Sequence, residues 1–263
     1  MSVGKEELGE AFFIVEKFRR FHPFIFLTYF CTMDVYGKAL NDFHAGIEDQ
    51  SLMLNTSYGG TEEMPVWYFF RGYDEMPEME QMALSIADGD ILDVGAGAGC
   101  HALVLQQMGK SITAIDTSSD SVDLMKKDGL KNAIKADYFK FNQKKYDTII
   151  LLMNGIGMVG KLNRFKTFLD HAKTLLKPEG QLIFDTSDIK YLYEGQDLPT
   201  DKYYGEVSFQ YEYQGEKGEW FDWVYIDEDT LADIAEECGW FLYYLHKDKS
   251  DQYLVRMIPK EYK

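Results

Sequence analysis

Three carboxylates and a run of glycines carry the chemistry this sequence offers. Asp93, Asp116 and Asp137 stand at or next to the ends of the apolar runs DILDV, SITAID and NAIKAD, and the first run leads directly into GAGAG, with Gly95, Gly97 and Gly99. A carboxylate at a strand end accepts hydrogen bonds from paired hydroxyls or an exocyclic amine, or pairs with an ammonium group. Glycines there let the chain turn tightly and let a ligand approach the backbone. The pattern points to an adenosine-containing ligand over the strand ends. A dinucleotide fingerprint would need glycine at position 100, where Cys100 stands.

Asp93 separates the remaining candidates. Two residues before the first glycine, a carboxylate repels a pyrophosphate and attracts the ammonium of an amino-acid moiety, directly or through the loop and water. S-adenosylmethionine carries such an ammonium and nicotinamide dinucleotides do not. Asp116, followed by Thr117, is placed to accept both ribose hydroxyls, and Asp137 to accept from the adenine exocyclic amine.

The elements that position these residues alternate. DILDV (90–94) and SITAID (111–116) read as buried strands joined by a helix over CHALVLQQMG that Gly109 closes. SSDSVDLMKKDG opens on serine caps and ends at Gly129 as a short helix, and NAIKAD (132–137) is a third strand. YDTIILLMN (146–154) is so uniformly apolar that it belongs at the centre of a sheet covered on both faces. Leu162, Phe165, Phe168, Leu169, Ala172, Leu175 and Leu176 keep helical spacing up to Pro178 and Gly180, and QLIFD (181–185) is a fifth strand. This is the rhythm of an α/β, doubly wound, mostly parallel sheet. Before it, PEMEQMALSI is a helix opened by Pro77 with Met79, Met82, Ala83 and Ile86 inward. After Asp185 the rhythm breaks into an aromatic hairpin around GEKG, then a helix over EDTLADIAEECG and a closing strand pair, WFLYYLHK and YLVRMI. The expected organisation is an N-terminal helical extension or cap over 1–76, a main domain over 77–258 with a hairpin inserted at about 203–226, and a tail over 259–263.

Composition narrows the partners. Lys and Arg number 27 against 44 Asp and Glu, a net charge of −17, which repels nucleic acid phosphates; no basic groove compensates. A small-molecule or protein acceptor is expected, with no nucleic acid and no membrane. Cys31, Cys100 and Cys238 form no CxxC pair and the histidines no HxxxH pair, so neither a disulfide framework nor a metal site is expected. The stretch KFRRFHPFIFLTYFCTM (17–33) sets two arginines before an apolar run, but the run is too short for a bilayer, contains Pro23 and lacks a small-residue cleavage site. A cytoplasmic protein is expected. The change in composition at MDVYGKALNDF also admits Met33 as the native start, which the mass of the native N-terminus would decide.

Taken together, ILDVGAGAG, ITAIDTS, KADYF, YDTIILLMNGIG and LLKPEGQLIFD resemble the class I S-adenosylmethionine-dependent methyltransferases, over residues from about 80 to 258. The resemblance implies a seven-stranded sheet with its last strand antiparallel. It implies that Gly95, Ala96 and Gly97 line the methionyl and ribose parts of the cofactor, that Asp116 holds the ribose, that Asp137 and Tyr138 border the adenine, and that Asn154 and Gly155 lie beside the sulfonium. Family members acting on DNA base amino groups carry two prolines and an aromatic after an Asn or Asp at this point; here the residues are NGIG.

Three function classes follow: a methyltransferase acting on a small molecule or protein side chain, a non-catalytic S-adenosylmethionine-binding protein, and a nicotinamide-dependent oxidoreductase, which Cys100 and Asp93 disfavour. Tyr36 and Asn154 are catalytic candidates by location. Arg71 either reaches the cofactor carboxylate or forms an ordinary surface or interface salt bridge. His101 packs against or caps its helix. The hairpin with Trp220, Phe221 and Trp223 is either core or a lid, and the acceptor is expected between it and the segment MDVYGKALNDF, over Asn154.

Overall fold

The computed structural model describes residues 34–47 and 51–260. The segment 17–33, the alternative start at Met33 and residues 261–263 of the tail lie outside them. In chain order the elements are α1 (Val35–His44), β1 (Leu52–Thr56), β2 (Thr61–Met64), α2 (Glu78–Ile86), β3 (Asp90–Val94), α3 (Cys100–Gln107), β4 (Ser111–Asp116), α4 (Ser119–Lys127), β5 (Ala133–Lys135), β6 (Tyr146–Leu151), α5 (Phe165–Leu175), β7 (Leu176–Ser187), β8 (Glu206–Tyr213), β9 (Glu216–Lys217), β10 (Phe221–Val224), α6 (Glu228–Glu237), β11 (Trp240–Lys247) and β12 (Gln252–Pro259).

Seven of the strands form one sheet in the order β11-β12-β7-β6-β3-β4-β5. β3 pairs parallel with β4 and β6, β4 with β5, and β6 with β7, while β12 runs antiparallel between β7 and β11. This is the expected doubly wound sheet with its last strand reversed. Helices cover both faces because the parallel strands are apolar on both: Ile91, Ile150 and Ile183 pack with α2 and α3, and Leu92, Ile149 and Leu182 with α5 and α6. α5 buries Phe165, Phe168, Leu169, Ala172 and Leu175, the helical stripe read from sequence; Leu162 falls in the turn before the helix and Leu176 begins β7. Ser118 caps α4 by accepting from Ser121 N at 2.9 Å, and Asp227 caps α6 from Thr230 N at 3.0 Å.

The inward face of α2 differs from the expected one. Met79, Glu80, Ala83 and Leu84 are buried, while Met82 and Ile86 are only partly so. The helix is turned so that a carboxylate faces the interior, where it has a partner described below.

The extension also holds more than a helix. β1 and β2 form a hairpin through Gly59 and Gly60, both left-handed, and β1 pairs with β8, so that Met53 lies opposite Glu212. With β10 and β9 on β8 this makes a separate antiparallel sheet ordered β10-β8-β1-β2. Alternate residues of its strands share one aromatic face, in which Phe209, Tyr211, Phe221, Trp223 and Tyr225 pack with Leu54, Ile189 and Leu192. Two segments roughly 150 positions apart thus build one cap.

Candidate active site

The strand order reverses at β3, between β4 and β6, which opens a crevice at the carboxyl ends of the strands. The glycine loop lies there. Gly95 N and Ala96 N both donate to Ile115 O, at 2.9 and 3.1 Å, tying the loop to the end of β4. Gly95 has φ +71° with nothing within 4 Å of where a Cβ would stand, so its backbone is open to a ligand. Gly97 has φ +57°, and a Cβ there would lie 2.6 Å from the Tyr36 hydroxyl.

Asp116 holds this geometry with both oxygens: Oδ2 accepts from Gly97 N at 2.9 Å and Oδ1 from Ser118 N at 2.8 Å. Each oxygen keeps a further lone pair for a ligand hydroxyl. Thr117 is exposed beside it. Asp137 lies two residues beyond β5, where it accepts from Phe139 N at 3.0 Å and pairs with Lys140 at 3.3 Å. The Tyr138 ring is in the core, 4.9 Å from Phe168, with its hydroxyl donating to Phe168 O at 3.3 Å.

At the end of β6, Met153 and Asn154 are both left-handed, an uncommon pair for residues with side chains. Asn154 N donates to Asp185 Oδ2 at 2.8 Å, and its side-chain oxygen accepts from Ser187 Oγ at 3.1 Å. Gly155 opens the following 3-10 turn. The Trp223 indole packs directly on Gly157 of that turn, bringing the aromatic cap to the strand ends. On the other side α1 closes the crevice. Asp34 caps it by accepting from Gly37 N at 2.8 Å and also accepts from the Ser118 hydroxyl at the start of α4. The Tyr36 ring lies 5.2 Å from both Phe69 and Tyr211, stacked on the latter, so helix and cap meet over the glycine loop. Burial pushes the Tyr36 hydroxyl well above its ordinary pKa, with Tyr211 and Asp116 adding to it.

Beneath the loop is a buried charge network that the sequence did not reveal. Arg71, 3% exposed, donates to both oxygens of Glu80 at 2.9 and 3.0 Å and to Tyr68 O at 2.8 Å. His101 Nε2 meets Glu80 Oε2 at 2.7 Å. Arg71 therefore forms an interior ion pair rather than a surface one, and His101 joins it rather than simply packing or capping. Burial works against a charged His101, yet Cys100, Glu80 and Asp93 around it outweigh that and hold its pKa well above the ordinary value. Among the described residues three buried polar atoms in this region lack a hydrogen-bond partner: Arg71 Nη1, Asp93 Oδ2 and Asp185 Oδ1. A cation nitrogen and two carboxylate oxygens without partners fit an amino-acid moiety, which offers an ammonium and a carboxylate.

A model of the methyltransferase domain family matches residues 72–244. The chain belongs to the methyltransferase domain family. It is 39% identical to an S-adenosylmethionine-dependent methyltransferase from Bacteroides fragilis crystallised with S-adenosyl-L-homocysteine, over 86% of this chain and 95% of that one, with a TM-score of 0.79. The ubiquinone biosynthesis O-methyltransferase of Rickettsia bellii (strain OSU 85-389) is 32% identical over 107 residues, 38% of this chain and 43% of that one, so the match spans less than half of that relative. CcbJ methyltransferase from Streptomyces caelestis, 15% identical over 71% of this chain and 98% of its own with a TM-score of 0.57, shares the fold. The protein thus carries a methyltransferase domain. No helix among the described residues is long and apolar enough to cross a membrane.

Burial pushes Asp93 of the methyltransferase up to about 6, with His101 opposing and Asp116 adding. An unfolded aspartate titrates near 3.9. The folded state therefore binds more protons between pH ~4 and ~6, so this group's contribution to stability falls as pH rises through that window and the penalty is complete above it. The cofactor-free D93N protein is expected to be more stable than wild type at pH 7.5, by about 3 kcal/mol, with the difference vanishing toward pH 4. The same variant should bind S-adenosylhomocysteine more weakly. Melting curves across pH with calorimetry check both, and equal stability at pH 7.5 would contradict the strain assigned to Asp93.

Proposed function

We propose that this methyltransferase moves the methyl group of S-adenosylmethionine to an oxygen of a small, largely apolar acceptor held between the cap sheet and α1, over Asn154. The observation that carries the acceptor reading is the aromatic face of the cap, with Trp223 seated on Gly157 and Tyr211 stacked on Tyr36. Such a wall suits a planar or apolar ligand. The likeness to a ubiquinone biosynthesis O-methyltransferase supports an oxygen acceptor, and the charge of −17 argues against nucleic acid.

In this reading Gly95, Ala96 and Gly97 bring their backbone against the cofactor, Asp116 with Thr117 receives the ribose hydroxyls, and Asp137 with the Tyr138 backbone borders the adenine. Arg71 Nη1 takes the cofactor carboxylate, while Asp93 sets a negative field beneath the loop. Asn154 and Gly155 flank the reacting centre. When bound, S-adenosylmethionine supplies an electrophilic methyl group with a good leaving group. The protein's work is positioning and exclusion of water, which the α1 and cap contacts perform.

Isotope-labelled S-adenosylmethionine incubated with the enzyme and the small-molecule fraction of a bacterial extract tests the reading. Label in an O-methyl product supports it. Label only in protein, or no transfer despite cofactor binding, would replace it with a protein methyltransferase or a binding protein respectively. Asp116→Ala should weaken S-adenosylhomocysteine binding about 10- to 100-fold by calorimetry, since it removes charge-assisted bonds of about 1.5–3 kcal/mol. An unchanged dissociation constant in a folded variant would remove Asp116 from the site.

A further inference from the structure

Asp185 has no role in the fold that accounts for its chemistry. It is 1% exposed near the carboxyl end of β7. Ile183, two residues earlier and so on the same face, pairs with Ile150 of β6, which pairs with Asp93 of β3. Asp185 thus shares the sheet face of Asp93, two strands away and nearer the crevice. That face is the one covered by α2 and α3, which carry Glu80 and His101.

Its two oxygens are treated differently. Oδ2 accepts from Asn154 N at 2.8 Å and from Gln252 Nε2 at 2.6 Å, which fixes the carboxyl group from two directions. Oδ1 has no hydrogen-bond partner among the described residues. The two donors account for Oδ2, but a buried carboxylate oxygen left without a partner costs free energy, so Oδ1 is unexplained by packing alone. Burial pushes the group up to about 6 against the two donors, Asn154 N and Gln252 Nε2, with the charge of Glu80 adding and that of His101 opposing.

The charges around it point to that cation. Arg71 and His101 are the positive groups of the network; Glu80, Asp93 and Asp185 are the negative ones. Glu80 is engaged by both positive groups, which leaves Asp185 and Asp93 without a direct counter-charge. One guanidinium nitrogen stays bare for an anion and the Asp185 oxygen for a cation, a donor and acceptor set complementary to a zwitterion.

We propose that Asp185 is a cofactor-binding residue whose Oδ1 receives the α-ammonium of S-adenosylmethionine, with Asn154 and Gln252 holding it in place. The inference rests on the reading that the cofactor lies over the glycine loop and the strand ends.

Four probes separate the parts. S-adenosylhomocysteine carries both the ammonium and the carboxylate, its decarboxylated analogue only the ammonium, its deaminated analogue only the carboxylate, and 5′-methylthioadenosine neither. The full chain and its D185N variant, nearly isosteric, are titrated with each by calorimetry. D185N should lose about 10- to 100-fold in affinity for the two probes with an ammonium and bind the other two within about twofold of wild type. Retained methylthioadenosine binding shows that the variant is folded. Undiminished binding of the decarboxylated analogue would overturn the assignment, and so would an equal loss on all four probes, which marks a structural role. Should wild type bind none of the probes, it is the cofactor placement that fails.

Discussion

Gly97→Val is expected to abolish S-adenosylmethionine binding while leaving the protein folded. The residue has φ +57°, where a side chain costs roughly 1–2 kcal/mol and a β-branched one more. Its Cβ would also lie 2.6 Å from the Tyr36 hydroxyl and 4.0 Å from the Phe69 ring. Tyr36 has little room to withdraw, because its ring is held between Phe69 and Tyr211. Relief must therefore come from the loop, and moving the loop breaks the bond from Gly97 N to Asp116 Oδ2 that orients the Asp116 carboxylate. We expect affinity to fall by more than about 100-fold, the equivalent of roughly 3 kcal/mol, with Gly97→Ala intermediate. Calorimetry with S-adenosylhomocysteine, alongside circular dichroism, is the measurement. Normal affinity in the valine protein would reduce the loop to a structural turn.

Arg71→Ala should be the most destabilising change in the site. The guanidinium is 3% exposed and balances Glu80, which is itself buried and shared with His101. Removing it leaves an excess of buried negative charge, a loss of about 3–5 kcal/mol for a broken interior pair. For a chain of this size that lowers the melting temperature by on the order of 10 °C. Arg71→Ala combined with Glu80→Gln should recover part of the loss, because the uncompensated charge is then gone. A double variant no more stable than the single would show that the guanidinium's contact with the Tyr68 ring, not its pairing with Glu80, sets the effect.

The legibility of the chain followed the range of the interactions involved. β3 and β4 appear at the residues read from sequence, β6 covers Tyr146–Leu151 of the run 146–154 expected to be a central strand, and β7 contains QLIFD, expected as a fifth strand. Their signals are local, being uninterrupted apolar runs next to glycines and caps. β2 shows the opposite case. Thr61, Glu62 and Glu63 are exposed and have no apolar alternation, and they form a strand because β1 pairs with them on one side and with β8 on the other. The only local sign was the pair Gly59 and Gly60, which supplies the left-handed turn.

The site divides the same way. The positions of Asp93, Asp116, Asp137 and the glycines at or near strand ends were readable because a parallel sheet of alternating strands and helices places its strand ends on one edge, so position along the chain translates into position at that edge. Glu80 was not, since the helical pattern of PEMEQMALSI fits an inward face with or without it, and its burial depends on Arg71 arriving from another segment. Asp185 likewise looked like the last residue of a strand until Asn154 and Gln252, 31 and 67 positions away, were seen to hold one of its oxygens and leave the other bare. The amino-acid sequence by itself determined the alternation of strands and helices in the parallel half of the sheet and the carboxylates near its strand ends, because those depend on local periodicity. Only the tertiary structure decided which charges are paired in the interior and how the cap closes, because a buried charge takes its meaning from partners that chain order does not place beside it.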